Sequence, residues 1–426
     1  MKGGQEKWVV SLLLFFAAGF NYADRTAITA VFPLLQKDFG MSSMALGATG
    51  TVFLWSYAAV SPFAGYWGDR IPRARLVTAS LGGWSLVMTL SAFAGSTTQL
   101  LMMRAILGIV EAAYIPAATA LIADHHGLDT RAKAIGLHLA GFSAGMVGGG
   151  ALAGYLGDRI GWRPSFVILG VGGLILTAVC AVFLRDARSV LPGRELARVQ
   201  PQSMGKSILQ LVKIPSSLVL TLENVLSGTV MWIFINWMPL FFRDTFALSL
   251  AMAGLYGTLW YQGGRVLGVT LGGVPSDFAA RRHPKYRMLL MVIAYLAAAP
   301  MLTTFAWTTS FTLIAVCVST FSILVGIGYV NAQPLVCELV PERLRSTAIG
   351  FMNMMSCFVG GAGVLIAGAL RDSFGLANAF SSLAAIQAAV AVMLLVTFLT
   401  RLGRDLIEGA KRTDAAVSSV PQEQRP

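Results

Sequence analysis

Twelve apolar runs follow one another along this chain of 426 residues, each bounded by charged residues or Gly/Pro clusters. They lie at 8–32, 44–67, 76–95, 98–122, 132–157 and 163–185, then at 216–242, 250–275, 287–307, 309–337, 346–370 and 377–400. A hydrocarbon core of about 30 Å takes about 20 helical residues, so each run is long enough to cross a bilayer. In lipid the backbone finds no water to bond, and a run of this kind must close its own hydrogen bonds as a helix. Charged residues make up 12% of the chain and hydrophobic ones 56%, a balance that excludes a soluble domain and suits an all-α membrane protein.

The basic residues orient the helices. Of the 32 Lys and Arg, 24 fall in the segments on the side of the two chain ends. Only Lys37, Arg159, Arg163, Arg243 and Arg371 fall on the other side. Loops rich in Lys and Arg stay in the cytoplasm, so both ends are expected there. The same distribution accounts for the formal charge of +12 without a nucleic-acid partner.

The chain repeats itself. Gly65-Tyr-Trp-Gly-Asp69 with Arg73 recurs as Gly273-Val-Pro-Ser-Asp277 with Arg281, an offset of 208. Arg131-Ala-Lys-Ala-Ile-Gly136 recurs as Arg345-Ser-Thr-Ala-Ile-Gly350, and Gly154-Tyr-Leu-Gly-Asp158 with Gly161 as Gly368-Ala-Leu-Arg-Asp372 with Gly375, both at 214. Three matches in register predict two six-helix bundles, 1–185 and 216–401, joined by a cytoplasmic linker at 186–215 and followed by a cytoplasmic tail at 402–426. Duplicated bundles with a site between them at mid-membrane are the architecture of alternating access.

Charges inside the spans point to that site. Asp24 and Arg25 lie in the first span, Arg104 and Glu111 in the fourth. Arg104 and Glu111 are two helical turns apart and share a face, and the spacing adds Tyr114 to it. With the spans centred near Phe20 and Val110, Asp24, Arg25 and Arg104 lie about 6–9 Å to the periplasmic side and Glu111 near the midplane. Charges at such depth are costly and mark a pathway more often than a scaffold. The bland reading is a closed pair, Asp24 with Arg104 or Glu111 with Arg25, that only ties two helices together. Four charges exceed what one such pair needs. Glu111 and Asp24 are the candidate proton carriers; Arg25 and Arg104, with Asn21 and Tyr114, are the candidate substrate-binding residues. Arg265, with Tyr261 and Gln262 in the eighth span, either faces the cavity or pairs with Glu223. His138 reads as a packing residue, and His125 and His126 as solvated.

Gly65-x-x-x-Asp69-Arg70-x-x-Arg73-x-Arg75 resembles the loop motif of the major facilitator superfamily, and the resemblance extends over essentially the whole chain. It implies the major facilitator fold, and a gating role for Gly65, Asp69, Arg70 and Arg73 and for the repeated Asp277 and Arg281. Asn21-Tyr-Ala-Asp24-Arg25, together with Arg104 and Glu111, is similar to the anion:cation symporters, which include sialin-like and sugar-acid transporters. Spinster-type lysolipid transporters share the first-span motif. The resemblance implies a proton-coupled symporter of a small organic anion, with a lysolipid transporter as the alternative. The run Gly141-x-x-x-Gly145-x-x-Gly148 resembles the fifth-span motif of drug:proton antiporters, but Met146 stands where they carry proline, which counts against a drug exporter.

No nucleophile–base pair, phosphate loop or metal-ligand spacing occurs in the sequence, so neither an enzyme nor a cofactor or metal is expected. The expected partners are an organic anion, protons and the lipid bilayer. The expected setting is a monomer in a bacterial inner membrane.

Overall fold

The computed structural model describes residues 3–68, 71–186, 204–341 and 344–409. The helices, in chain order, are α1 (Gly3–Ala30), α2 (Phe32–Phe39), α3 (Ser43–Gly68), α4 (Arg73–Ser91), α5 (Thr97–Glu111), α6 (Tyr114–His125), α7 (Leu128–Ile160) and α8 (Trp162–Phe183). They continue as α9 (Met204–Val212), α10 (Pro215–Phe246), α11 (Leu250–Arg282), α12 (Tyr286–Thr303), α13 (Phe311–Leu339), α14 (Arg345–Phe374) and α15 (Leu376–Thr400). With α5 and α6 forming one span, and α2 and α9 lying apart, a helix stands at each of the twelve runs, and among the described residues nine spans are long and apolar enough to cross a membrane. Much of the linker read at 186–215 and most of the tail lie outside the described residues; the linker's described part includes α9.

Two compact units emerge, and they cut across the sequence halves. One comprises Met1–Arg194, Met231–Gln262 and Cys357–Ala379; the other comprises Glu195–Val230, Gly263–Ser356 and Phe380–Pro426. In the first unit α1 packs along α7 with little between the backbones. A Cβ on Gly145 would meet the backbone of Gly19, and one on Gly149 that of Ala23. Small residues at such a seam let two membrane helices approach closely. Thr26 closes it by donating to the Met146 carbonyl at 2.9 Å.

Proline sets the main interruptions. Pro116 has no N–H to give the Ala112 carbonyl, and the fourth span breaks at Ala112–Ala113 between α5 and α6. Pro33, at the start of α2, likewise follows the break after α1. Ser96 caps α5 by accepting from the Gln99 N–H at 3.2 Å, and Ser310 caps α13 from Leu313.

The repeat is visible in side-chain roles. Arg131 donates to the carbonyls of His126 and Ala123 at the end of α6, and Arg345, 214 positions on, to the Cys337 carbonyl at the end of α13. A guanidinium there satisfies carbonyls that the helix end leaves open. Arg73 pairs with Asp124, and Arg287 approaches Glu338 at 3.5 Å, again at 214. Gly161 (φ 91°) and Gly375 (φ 77°) both turn the chain between a long helix and the next, at a φ that other residues rarely adopt. Asp158 accepts from the N–H groups of Leu250 (3.1 Å) and Ala251 (3.0 Å) at the start of α11, while Asp372 accepts from the Ser43 hydroxyl (2.6 Å) at the start of α3. Both contacts lie in the first unit and join segments from opposite sequence halves. At the same end, Asp38 accepts from Trp162 and Arg163, and these bonds hold its carboxyl below the usual range.

Candidate functional site

The first unit gathers the four charges read from the first and fourth spans. Asp24 (3% exposed), Arg25 (5%), Arg104 (4%) and Glu111 (0%) are all buried. Arg25 reaches Glu111 from α1 to α5. Its Nη2 lies 2.7 Å and its Nε 3.2 Å from the same carboxylate oxygen, Oε2. Oε1 of Glu111 has no hydrogen-bond partner. Nη2 of Arg25 also lies 3.4 Å from Oδ1 of Asn21, one turn earlier on α1.

Aromatic rings enclose this pair. The Arg25 guanidinium carbon is 4.3 Å from the centroid of Tyr22, 4.8 Å from Phe53, 5.3 Å from Tyr57 and 5.9 Å from Trp232. Phe53 of α3 also takes the Arg104 guanidinium at 4.8 Å. One ring therefore serves both arginines, and desolvated cation–π contacts of this kind stabilise by about 2 kcal/mol. Arg104 bonds the Thr49 carbonyl through Nε at 3.3 Å and has no ion pair among the described residues. Phe53 and Thr49 carry no signal in the sequence, since both lie in an unmarked apolar run. Tyr57 and Trp232 stand out in the sequence only as aromatic residues within spans.

Asp24 interacts electrostatically with Glu111 and both arginines. Its carboxyl lies within hydrogen-bonding reach of that of Glu111, a contact that needs a proton on one of the two, and its oxygens have no other partner. Asp24 lines a small recess between α1, α4 and α8, together with Phe20, Trp84, Ser85 and Met88. The Ser85 hydroxyl is without a partner. The cluster as a whole holds two carboxyls and two guanidiniums, formally neutral when all are ionised.

Tyr114 is buried, and its contacts are with α1, α4 and α7. Its hydroxyl donates to the Leu14 carbonyl at 3.1 Å, and its ring meets Trp84 and His138. His138 bonds the same carbonyl through Nδ1 at 3.0 Å, as befits a packing residue. His126 is not solvated as the sequence suggested. It is 1% exposed, with Nε2 at 2.8 Å from the Ser11 hydroxyl and 3.0 Å from the Lys7 carbonyl, and burial lowers its pKa.

Tyr261 (3% exposed) packs edge-on to Phe234, and Gln262 (4%) is buried beside it in sequence. In the second unit the Arg265 guanidinium stands 4.6 Å over the Tyr329 ring. Glu223 accepts instead from the Tyr295 hydroxyl at 2.7 Å and has no ion pair among the described residues. Of the expected gating residues, Asp69 and Arg70 lie outside the described residues, and Gly65 lies within α3. Arg73 pairs with Asp124. Asp277 is 3.5 Å from Arg287, whereas Arg281 is exposed.

The chain resembles known proteins along most of its length. It is 26% identical to the probable sulfoacetate transporter SauU of Cupriavidus necator over 303 residues, covering 68% of this chain and 69% of that one. It is 24% identical to the probable galactarate/D-glucarate transporter GarP of Escherichia coli over 433 residues, covering 94% and 97%. Among solved structures, a bacterial homologue of the human lysosomal transporter Spinster superposes with a TM-score of 0.74 at 22% identity, covering 95% of this chain and 98% of that one. At that identity the superposition speaks for the fold alone. The model of the Major Facilitator Superfamily matches residues 14–364 and 260–420, and the chain belongs to that family of membrane transporters.

Proposed function

We propose that this transporter carries a small organic carboxylate, such as a sugar acid or an aromatic acid, into the cell together with protons. The observation that carries this reading is the unequal engagement of two buried arginines. Arg25 is held by Glu111, while Arg104, equally buried, has no carboxylate within ion-pair reach among the described residues. A guanidinium in a dry, aromatic-lined site is a receptor for a carboxylate, which it can bind through two parallel hydrogen bonds. The named substrates of SauU and GarP, sulfoacetate and the sugar diacids, belong to the same chemical class.

Proton coupling follows from charge balance. A cluster of two carboxylates and two guanidiniums that admits an anion gains a net negative charge in a medium that tolerates it poorly. A proton taken up by Glu111 restores neutrality and at the same time frees the Arg25 fork for the incoming carboxylate. Asp24 is the second carrier, electrostatically coupled to Glu111. Asn21 steadies Arg25 from the preceding turn. Arg265, Tyr261 and Gln262 contribute from the second half.

Alternating access moves the sequence halves, 1–185 and 216–401, as two bodies about this site. Gly65, Asp69, Arg70 and Arg73, with Asp277 and Arg281, form the cytoplasmic gate. Asp158 and Asp372 act as latches at the other end. The protein works as a monomer in a bacterial inner membrane, with both ends in the cytoplasm.

Glu111→Gln tests the coupling. Glutamine keeps the shape and can still accept from Arg25, but it cannot cycle a proton. The variant should lose accumulation driven by an inward proton gradient and retain exchange of substrate across the membrane. Gradient-driven accumulation at the wild-type level in Glu111→Gln would remove Glu111 from the coupling mechanism.

A further inference from the structure

The second unit buries one carboxyl in an environment unlike that of the cluster just described. Glu223 is the only charged residue of α10 before Arg243, and it is 1% exposed. Its Oε1 accepts from the Tyr295 hydroxyl of α12 at 2.7 Å. Its Oε2 is buried and has no hydrogen-bond partner, and Glu223 makes no ion pair among the described residues. Ser227, one turn along α10, contributes to the electrostatics of the carboxyl without a hydrogen bond of good geometry. The group that faces it from α12 is Tyr295. Arg265 of α11 acts on that phenol, and its guanidinium rests on Tyr329 of α13. Gly328 of α13 lies directly against the Tyr295 ring, leaving no room for a Cβ. The ring is thereby confined on that side, with its hydroxyl on Oε1.

A carboxylate in this place would bury a full charge against neutral hydroxyls alone, with no cation to pair it, which is far from enough to offset its lost hydration. The arrangement suits the acid form. The carbonyl oxygen, Oε1, accepts from Tyr295, and the second oxygen carries the hydrogen. We propose that Glu223 is a proton-binding site of the second half, with the proton on Oε2 and Tyr295 as the residue that positions the carboxyl. Binding forms one O–H bond and breaks none within the protein, so no co-reactant is needed. This site involves none of the four charges of the first unit. A proton held here is additional to any carried by Asp24 and Glu111, and it stands whether or not transport is coupled to a proton gradient.

Infrared spectra of the full-length protein in liposomes at neutral pH test the assignment directly, because a protonated carboxyl has a C=O stretch that a carboxylate lacks. Wild type should show this band, and Glu223→Gln should lose a component of it. Tyr295→Phe should shift that component to higher frequency, since the carbonyl oxygen loses its donor. Bands from Asp24 and Glu111 are common to all three samples and cancel in the differences. Equal protonated-carboxyl intensity in wild type and Glu223→Gln would overturn the proposal. So would an unshifted band in Tyr295→Phe, which decides the matter if Glu223→Gln does not fold.

Discussion

In the first half of the chain, α1 and α5 bury two carboxyls and two guanidiniums within an aromatic enclosure. In the second half, α10 buries one carboxyl that rests on a phenol. The surrounding frames are far more alike. Arg73 with Asp124 matches Arg287 with Glu338, Arg131 matches Arg345, and Gly161 matches Gly375. Duplication has kept the residues that cap, turn and tie helices, while the residues in the spans have diverged. The difference teaches that a shared frame accommodates separate chemistries at buried positions within its spans.

Removing a charge from each half should expose the contrast. Arg25→Gln leaves the buried Glu111 carboxylate without its cation and strips the aromatic enclosure of its centre. The expected cost is on the order of 3–5 kcal/mol. Glu223→Gln exchanges a neutral acid for a neutral amide of similar shape and should cost about 1 kcal/mol or less, the scale of a single neutral hydrogen bond. Thermal unfolding of both variants in detergent checks the order, and equal losses would erase the distinction.

A smaller effect sharpens the reading of Arg104. Arg104→Lys preserves the charge but forfeits the fork and the contact with Phe53, and carboxylate affinity should fall about tenfold. Isothermal titration of the folded variant measures this directly, and unchanged affinity would move the carboxylate away from Arg104. The smallest effect concerns the latches. Asp158→Ala strips two N–H groups of α11 of their acceptor, a loss of about 1 kcal/mol, or about fivefold in population. Spin labels on the adjoining ends of α7 and α11 should report more separated pairs, and an unaltered distance distribution would make the contact a bystander.

The sequence carried most of the frame in plain form. Run lengths determine the spans, loop charges predict an orientation, and three repeats give the duplication that Arg131 and Arg345 display in detail. It also offered Glu111 as a partner for Arg25, although the depth estimate set Glu111 nearer the midplane; the long arginine side chain spans that difference to reach it. Periodicity placed Tyr114 on the face of Glu111 but was silent on what its hydroxyl meets. The Tyr114 hydroxyl bonds the Leu14 carbonyl of α1, a partner that spacing along one helix does not name. The Phe53 ring shared by both arginines was illegible for another reason, since an apolar residue in an apolar run has no pattern to set it apart. Which arginine answers Arg73 was likewise hidden. Motif alignment pointed to Arg281, but the pairing with an acid at the end of the tenth span belongs to Arg287, at the offset of the other repeats.

The central claim, that a carboxylate and a proton enter together, is tested most directly by uptake into proteoliposomes under an inward proton gradient. Small carboxylates, sugar acids and aromatic acids among them, and lysophospholipids are offered as competitors at low and at neutral pH. The account predicts that carboxylates compete, that lysophospholipids do not, and that accumulation collapses when the gradient is dissipated. Competition by the lipids alone, without dependence on pH, would contradict it and give the lysolipid reading its place.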